Sequence, residues 1–320
     1  MENVLVTPQT ETKPEVIIDD LFSMIPGIEN ATQVQVVMSN DLSAKKFNKD
    51  WVAPNKPCLI KGAVKHWPAI QHFKSEEYWL KACDDFKITI YPHMNHASWD
   101  RHKFNSEEVT FHKAIKRLFN NEDPILSMPA EKITDDNRFS KLINEMPGFT
   151  FHNSSIKPRL YEQKRFFLYR RASTAWHHHI TDETLMCQVS GAKKVALLSP
   201  DIPNAREIVE FFRNDSYLDG KVLDSSIDLK PVIAYVEEGD ALYIPPYWLH
   251  AVMPDDDVVG FTYAHCWKTP IHKFGNFSNY YVGQFYKGGL QPFRKISFVM
   301  PFLAVFSGLS YGFKKMIGRI

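Results

Sequence analysis

Between residues 165 and 264 the chain is written in short β segments, and that pattern constrains its fold more than any other feature. Runs rich in Phe, Leu, Val, Ile and Tyr occupy 165–169, 185–189, 194–198, 232–236, 241–244 and 258–264. Tight Gly or Pro turns separate them, and a looser insert with acidic and aromatic residues interrupts them at 201–229. Short strands joined this way predict an antiparallel barrel or jelly roll. Earlier in the chain, 56–62 and 85–91 read as further strands, and 75–83 and 109–119 as helices, the first with Ser75 as its N-cap. Residues 120–160 mix Asn, Asp, Pro and Gly and are expected to be surface structure.

Within this β text lies the run Thr174-Ala-Trp-His-His-His179, and far downstream Gly239-Asp-Ala-Leu-Tyr-Ile-Pro-Pro-Tyr-Trp-Leu-His250. On a strand, residues i and i+2 face the same side, so His177 and His179 can share an inward face while His178 points outward. His250, brought in on a distant strand, would complete three facial imidazole ligands and leave other positions open. Such a set suits a first-row metal that must bind substrate or O2. The spacing His177-x-His179-x-x-x-Glu183 resembles the general cupin pattern, which implies that Glu183, or failing it Asp182, could add a carboxylate ligand; either could equally be a solvated turn residue. His93, His96 and His265 read as loop or structural histidines, and Tyr243 and Trp248 as packing residues around His250. There is no GxGxxG after a strand, no P-loop and no GxSxG elbow.

These residues carry a family resemblance. The stretch 45–270 resembles the JmjC-type, cupin-like hydroxylases, a branch of the Fe(II)/2-oxoglutarate oxygenases. Pro57-Cys-Leu-Ile-Lys-Gly-Ala63, His66-Trp-Pro-Ala69, Gln188-Val-Ser-Gly-Ala-Lys193 and the segment ending at His250 carry it. The resemblance implies a mainly β double-stranded β-helix with helical N-terminal decoration and a helical C-terminal tail. It also implies that Thr174 and Lys193 bind the co-substrate 2-oxoglutarate, with His177 and His250 as metal ligands. Where the family has His-x-Asp, this chain has His-x-His, so His179 takes the carboxylate's place and the first shell loses a negative charge. A second register makes His178 the first ligand but puts Ile180 at the Asp position and loses Thr174; the first register needs one extra residue before Gln188, which a bulge can absorb. Three functions stay open: a 2-oxoglutarate-linked hydroxylase, a three-His cupin dioxygenase that uses no keto acid, and a non-catalytic cupin binding module.

Composition narrows the partners. The chain has 320 residues with 38 basic and 37 acidic side chains, a balance that gives no signal for nucleic acid. Its four cysteines are scattered and form no CxxC pair, and the N-terminus lacks a secretory pattern, so the cytoplasm is the expected compartment. The charges are unevenly placed: 258–320 holds eight basic residues and no acidic one, leaving 30 basic against 37 acidic before it. Residues 296–313 carry no charge and are flanked by Arg294, Lys295, Lys314 and Lys315. As a helix they would span about 27 Å at 1.5 Å per residue. That length fits a core or dimerisation helix, an interfacial membrane anchor on an anionic surface, or a marginal membrane span. If the anchor is real, a lipid or other apolar substrate follows. The chain thus divides into a segment 1–44, an oxygenase-like domain 45–270 and a basic, aromatic tail 271–320.

Overall fold

The computed structural model describes residues 20–92, 106–134, 138–152, 156–160, 162–202, 204–213, 221–288 and 298–320. Its strands are β1 (Thr32–Gln33), β2 (Val36–Met38), β3 (Cys58–Lys61), β4 (Lys87–Pro92), β5 (Glu107–Thr110), β6 (Leu126–Ser127) and β7 (Glu131–Lys132). Then follow β8 (Lys164–Arg170), β9 (Thr174–His177), β10 (Asp182–Ser190), β11 (Lys193–Leu198), β12 (Val232–Val236), β13 (Ala241–Ile244), β14 (Leu249–Pro254) and β15 (Gly260–Lys268). The helices are α1 (Ala44–Phe47), α2 (Ala69–His72), α3 (Glu76–Ala82), α4 (Phe111–Phe119), α5 (Ala205–Arg213), α6 (Tyr280–Gly288) and α7 (Met300–Met316).

One sheet runs β1-β12-β11-β14-β9; the larger runs β2-β3-β13-β10-β15-β8-β6-β4-β5, with β7 joined to β8. Among the described residues only β1–β12 and β2–β3 are parallel pairs. Leu59, Met186 and Leu242 of the larger sheet meet Val195, Leu197 and Val252 of the smaller one between the two. The outer face of the larger sheet, with Phe166, Leu185 and Phe261, is covered by Phe73, Trp79 and Phe111 of the N-terminal helical region. The outer face of the smaller sheet, with Trp176, Leu198 and Ala251, is covered by Ile208 and Phe212 of α5 and by Leu21 and Phe22. This is a jelly roll with helical decoration on its outer faces.

Because both faces of the larger sheet are covered, β10 is buried along its whole length. It begins at Asp182, three residues before the apolar run suggests, because buried partners receive its acidic residues. Helix α4 places Phe111, Ala114, Ile115 and Leu118 on one stripe and starts two residues later than read, since β-branched Val109 and Thr110 extend β5 against β4. Strand β15 starts at Gly260, after the Asp255–Asp257 acidic turn, and extends to Lys268. The expectation that 120–160 is surface structure is corrected: Leu126, Phe139, Leu142 and Phe151 are fully buried and complete the N-terminal core. All four cysteines are buried and free.

At the C-terminus, α7 has seventeen residues, and among the described residues no helix is long and apolar enough to cross a membrane. The spanning reading of 296–313 is therefore corrected: the helix starts only at Met300, and Ser307 is buried against the protein body. Residues 1–14 and the readings of His93 and His96 lie outside the described residues.

Candidate metal centre

Strand β9 ends at His177, and the backbone then turns through His178 and His179 into β10. His177 pairs directly with His250 on β14, so two histidines distant in sequence become cross-strand neighbours. Their ring centroids are 4.1 Å apart, and His179 stands 5.4 Å from His177 and 5.0 Å from His250. One ligand atom from each of the three lies within 4.8 Å of the others.

The hydrogen bonds fix two of the tautomers. Nδ1 of His177 donates to the Ala175 carbonyl at 2.8 Å, and Nδ1 of His250 donates to the Trp248 carbonyl at 2.9 Å. A carbonyl can only accept, so in the neutral ring the Nε2 lone pair is left for a metal. His179 shares a 3.0 Å hydrogen bond between Nδ1 and Thr184 Oγ1. Burial lowers the pKa of His177, and burial together with the neighbouring imidazoles pushes His179 and His250 well below the ordinary value. Three neutral, converging imidazoles fit a divalent first-row metal. The donor set contains no carboxylate.

The cluster opens onto a cavity of about 510 Å³. Thr174 and Lys193 line the same cavity, as do Arg165 and Tyr169, and no Asp or Glu among the described residues lines it. Lys193 is buried at the start of β11, with Nζ 4.0 Å from the centre of the Tyr169 ring. Burial lowers its pKa to about 7. Tyr169 is held in turn by Gln188, whose Nε2 donates to the phenol oxygen at 2.9 Å and whose Oε1 accepts from Thr262 at 2.9 Å.

This geometry can be set against known proteins. A family model described as "Cupin-like domain" matches residues 44–265. The Jumonji C domain-containing protein 5 of Drosophila melanogaster is 24% identical over 246 residues, 71% of this chain and 60% of that protein. The chain belongs to the cupin-like JmjC family. Among other JmjC relatives, the Arabidopsis thaliana protein named arginine-specific demethylase JMJ22 is 24% identical over 251 residues, 73% of this chain and 45% of its own length. A short stretch of 25 residues is 60% identical to the human protein named bifunctional peptidase and (3S)-lysyl hydroxylase JMJD7, covering 8% of each chain. The chain spans about half the length of the curated relatives it matches over most of its own length.

Within this JmjC domain several sequence expectations change. Glu183 is not at the cluster. It shares β10 with Thr184, which faces His179, so strand alternation turns Glu183 to the opposite face. There its carboxylate accepts from Tyr243 at 2.5 Å and from Lys273 Nζ at 2.7 Å. Asp182 is committed to a loop, accepting from the backbone N–H groups of Arg159 and Leu160 at 2.6 and 2.8 Å. His178 is not part of the cluster, although it is only half-buried and lines the same cavity: its ring packs 4.7 Å from that of Tyr281 on α6, and burial lowers its pKa to about 4. His179 lies past the end of β9, so its approach comes from a turn and not from strict strand alternation. Irregular pairing falls between Gln188 and Ser190 and opposite His250 and Val252, and none precedes Gln188 in β10. His265 packs against His152, away from the cavity.

Sequence reading missed Tyr169, Arg165 and Thr184. The first two belong to the alternating inward face of β8, a signal present in the text but shared by every strand. The third stands one position beyond Glu183, where a neutral hydroxyl attracts less notice than a carboxylate.

Proposed function

We propose that this JmjC protein is a metal-dependent oxygenase in which His177, His179 and His250 hold Fe(II), and Lys193 with Thr174 anchors 2-oxoglutarate. The observation that carries the reading is the convergence of three neutral imidazoles and a buried lysine on one cavity without acidic lining. Bound Fe(II) would supply O2 activation coupled to oxidation of the keto acid. The protein's own residues bind and orient. Lys193 supplies a point charge to a carboxylate, in a partly dry setting where charge pairing is strong. The Tyr169 ring, 4.0 Å from Nζ, steadies the lysine head. The carbonyls of Ala175 and Trp248 keep two imidazoles aimed inward. Relatives named as a demethylase and a lysyl hydroxylase support the oxidative class.

Charge supports a dianion here. A His in place of Asp leaves the bound metal more positive, and Arg165 adds a cation to the same wall. Met128, Phe167, Ile244 and Val252 make much of the remaining lining apolar, so the substrate presents an apolar group to the site. The test is succinate release from 2-oxoglutarate by the iron-loaded protein with substrate extracts, compared with Lys193→Ala. The expected result is iron-dependent succinate that the variant fails to form. No turnover, together with no 2-oxoglutarate binding that Lys193→Ala weakens, would remove the co-substrate from the reading. The lack of a carboxylate in the cluster favours a second reading, a three-His dioxygenase without keto acid. Oxygen uptake in the absence of 2-oxoglutarate would select it.

A further inference from the structure

Helix α7 is mounted the wrong way round for a helix whose surroundings are water alone. Its small and polar side faces inward. Ser307 is fully buried, and its hydroxyl donates to the Phe274 carbonyl at 3.1 Å and shares a 2.8 Å hydrogen bond with Tyr286. Gly275 lies so close to the backbone of Ser307 and Gly308 that a side chain there would collide with it. Lys314 Nζ donates to Nδ1 of His272 at 3.1 Å, while His272 Nε2 donates to the Ala53 carbonyl at 3.1 Å. The helix is thus clamped to the 3-10 turn Ile271–Gly275.

The opposite side carries Phe302, Val305, Phe306, Leu309, Phe313 and Met316, each between 58% and 76% exposed. Their i, i+3, i+4, i+7 spacing puts them on one arc, an apolar ridge about 21 Å long. A contiguous apolar surface of that kind marks an interaction site. Charge decides between occupants. Lys273 is paired with buried Glu183 and Lys314 with His272, while Lys268, Lys287, Lys315 and Arg319 are exposed, and the sequence from residue 258 onward has no acidic residue to offset them. A second copy would bring like-charged tails together, whereas an anionic bilayer complements both the ridge and its basic setting.

We propose that α7 docks the protein peripherally on anionic membranes, with the ridge from Phe302 to Met316 lying in the headgroup region and the basic side chains contacting lipid phosphates and carboxylates. The docking needs neither metal nor substrate. The full-length protein is to be floated with vesicles of phosphatidylcholine alone and of phosphatidylcholine with about a third phosphatidylserine, at roughly 0.1 M salt. Expected is flotation with the anionic vesicles only, weakened at roughly 1 M salt. The triple variant Phe302→Ser, Phe306→Ser, Leu309→Ser should lower the bound fraction about tenfold or more. Lys315→Glu with Arg319→Glu should lower it without touching the ridge. Unchanged circular dichroism and unchanged metal content establish that the variants are folded. Absence of flotation with anionic vesicles would overturn the proposal. So would a stable dimer of the wild type that the triple variant splits, which assigns the ridge to a second copy.

Discussion

Lys193 is the residue whose chemistry is most exposed to measurement. Burial brings its pKa to about 7, so near neutral pH the free protein holds it only partly charged. A carboxylate ligand needs the ammonium form. The apparent affinity for 2-oxoglutarate should therefore fall about tenfold per pH unit above pH 7, and calorimetry across pH 6–9 reads that slope; a flat profile would separate Lys193 from the binding step. Thr184 holds the His179 ring through Nδ1, so in the proposed metal site Thr184→Val should weaken metal affinity about 10- to 100-fold, checked by competition with a chelator. At this scale the text was informative for His177, His179 and His250, because a spaced pair of histidines and a distant third are rare together. It was uninformative for Tyr169 and Thr184, whose roles arise from what lies across the sheet.

Strand β10 joins the cavity to the C-terminal segment. On its inner face Thr184 orients a cluster histidine; on its outer face Glu183 pairs with Lys273, both fully or nearly fully buried. Burial pushes the carboxyl up and the ammonium down, while their mutual attraction and the Tyr243 hydroxyl favour the charged pair. Removing one partner leaves the other stranded, so Lys273→Met should destabilise the fold by about 3–5 kcal/mol. The double variant Glu183→Leu, Lys273→Met should recover much of that loss, and urea unfolding measures both. Equal loss in single and double variants would mean the pair is not coupled. The strand itself was legible only from Leu185, because Asp182 and Glu183 read as candidate ligands or turn residues when their partners at 159–160 and 273 are far off in sequence. Helix α3, by contrast, was readable almost to the residue, since Ser75 caps it locally, accepting from the Tyr78 N–H at 3.3 Å.

The whole molecule buries many imidazoles as neutral rings. Burial lowers His152 and His272 to about 4 and His265 to about 3, whereas in an unfolded chain each would protonate near pH 6.5. Between those values the unfolded state binds more protons, so stability is full above about pH 6.5 and falls as pH drops toward 4. Thermal melts at pH 7.5 and 5.0 should show a clear drop in Tm at the lower pH, and unchanged Tm would contradict the buried neutral state. The jelly roll was legible because strand spacing and turn residues are local signals. The full cover of the larger sheet was not, since Leu126, Phe139, Leu142 and Phe151, which complete it beside the legible helices α3 and α4, come from a stretch that reads as polar and irregular. Across these scales one proposition joins the fold to the chemistry, that the three histidines and Lys193 form a single metal and keto-acid site. Anaerobic calorimetric titration of 2-oxoglutarate into the Fe(II)-loaded protein tests it most directly. One binding event per chain is expected, abolished by His250→Ala and strongly weakened by Lys193→Ala; binding that survives both substitutions would contradict it.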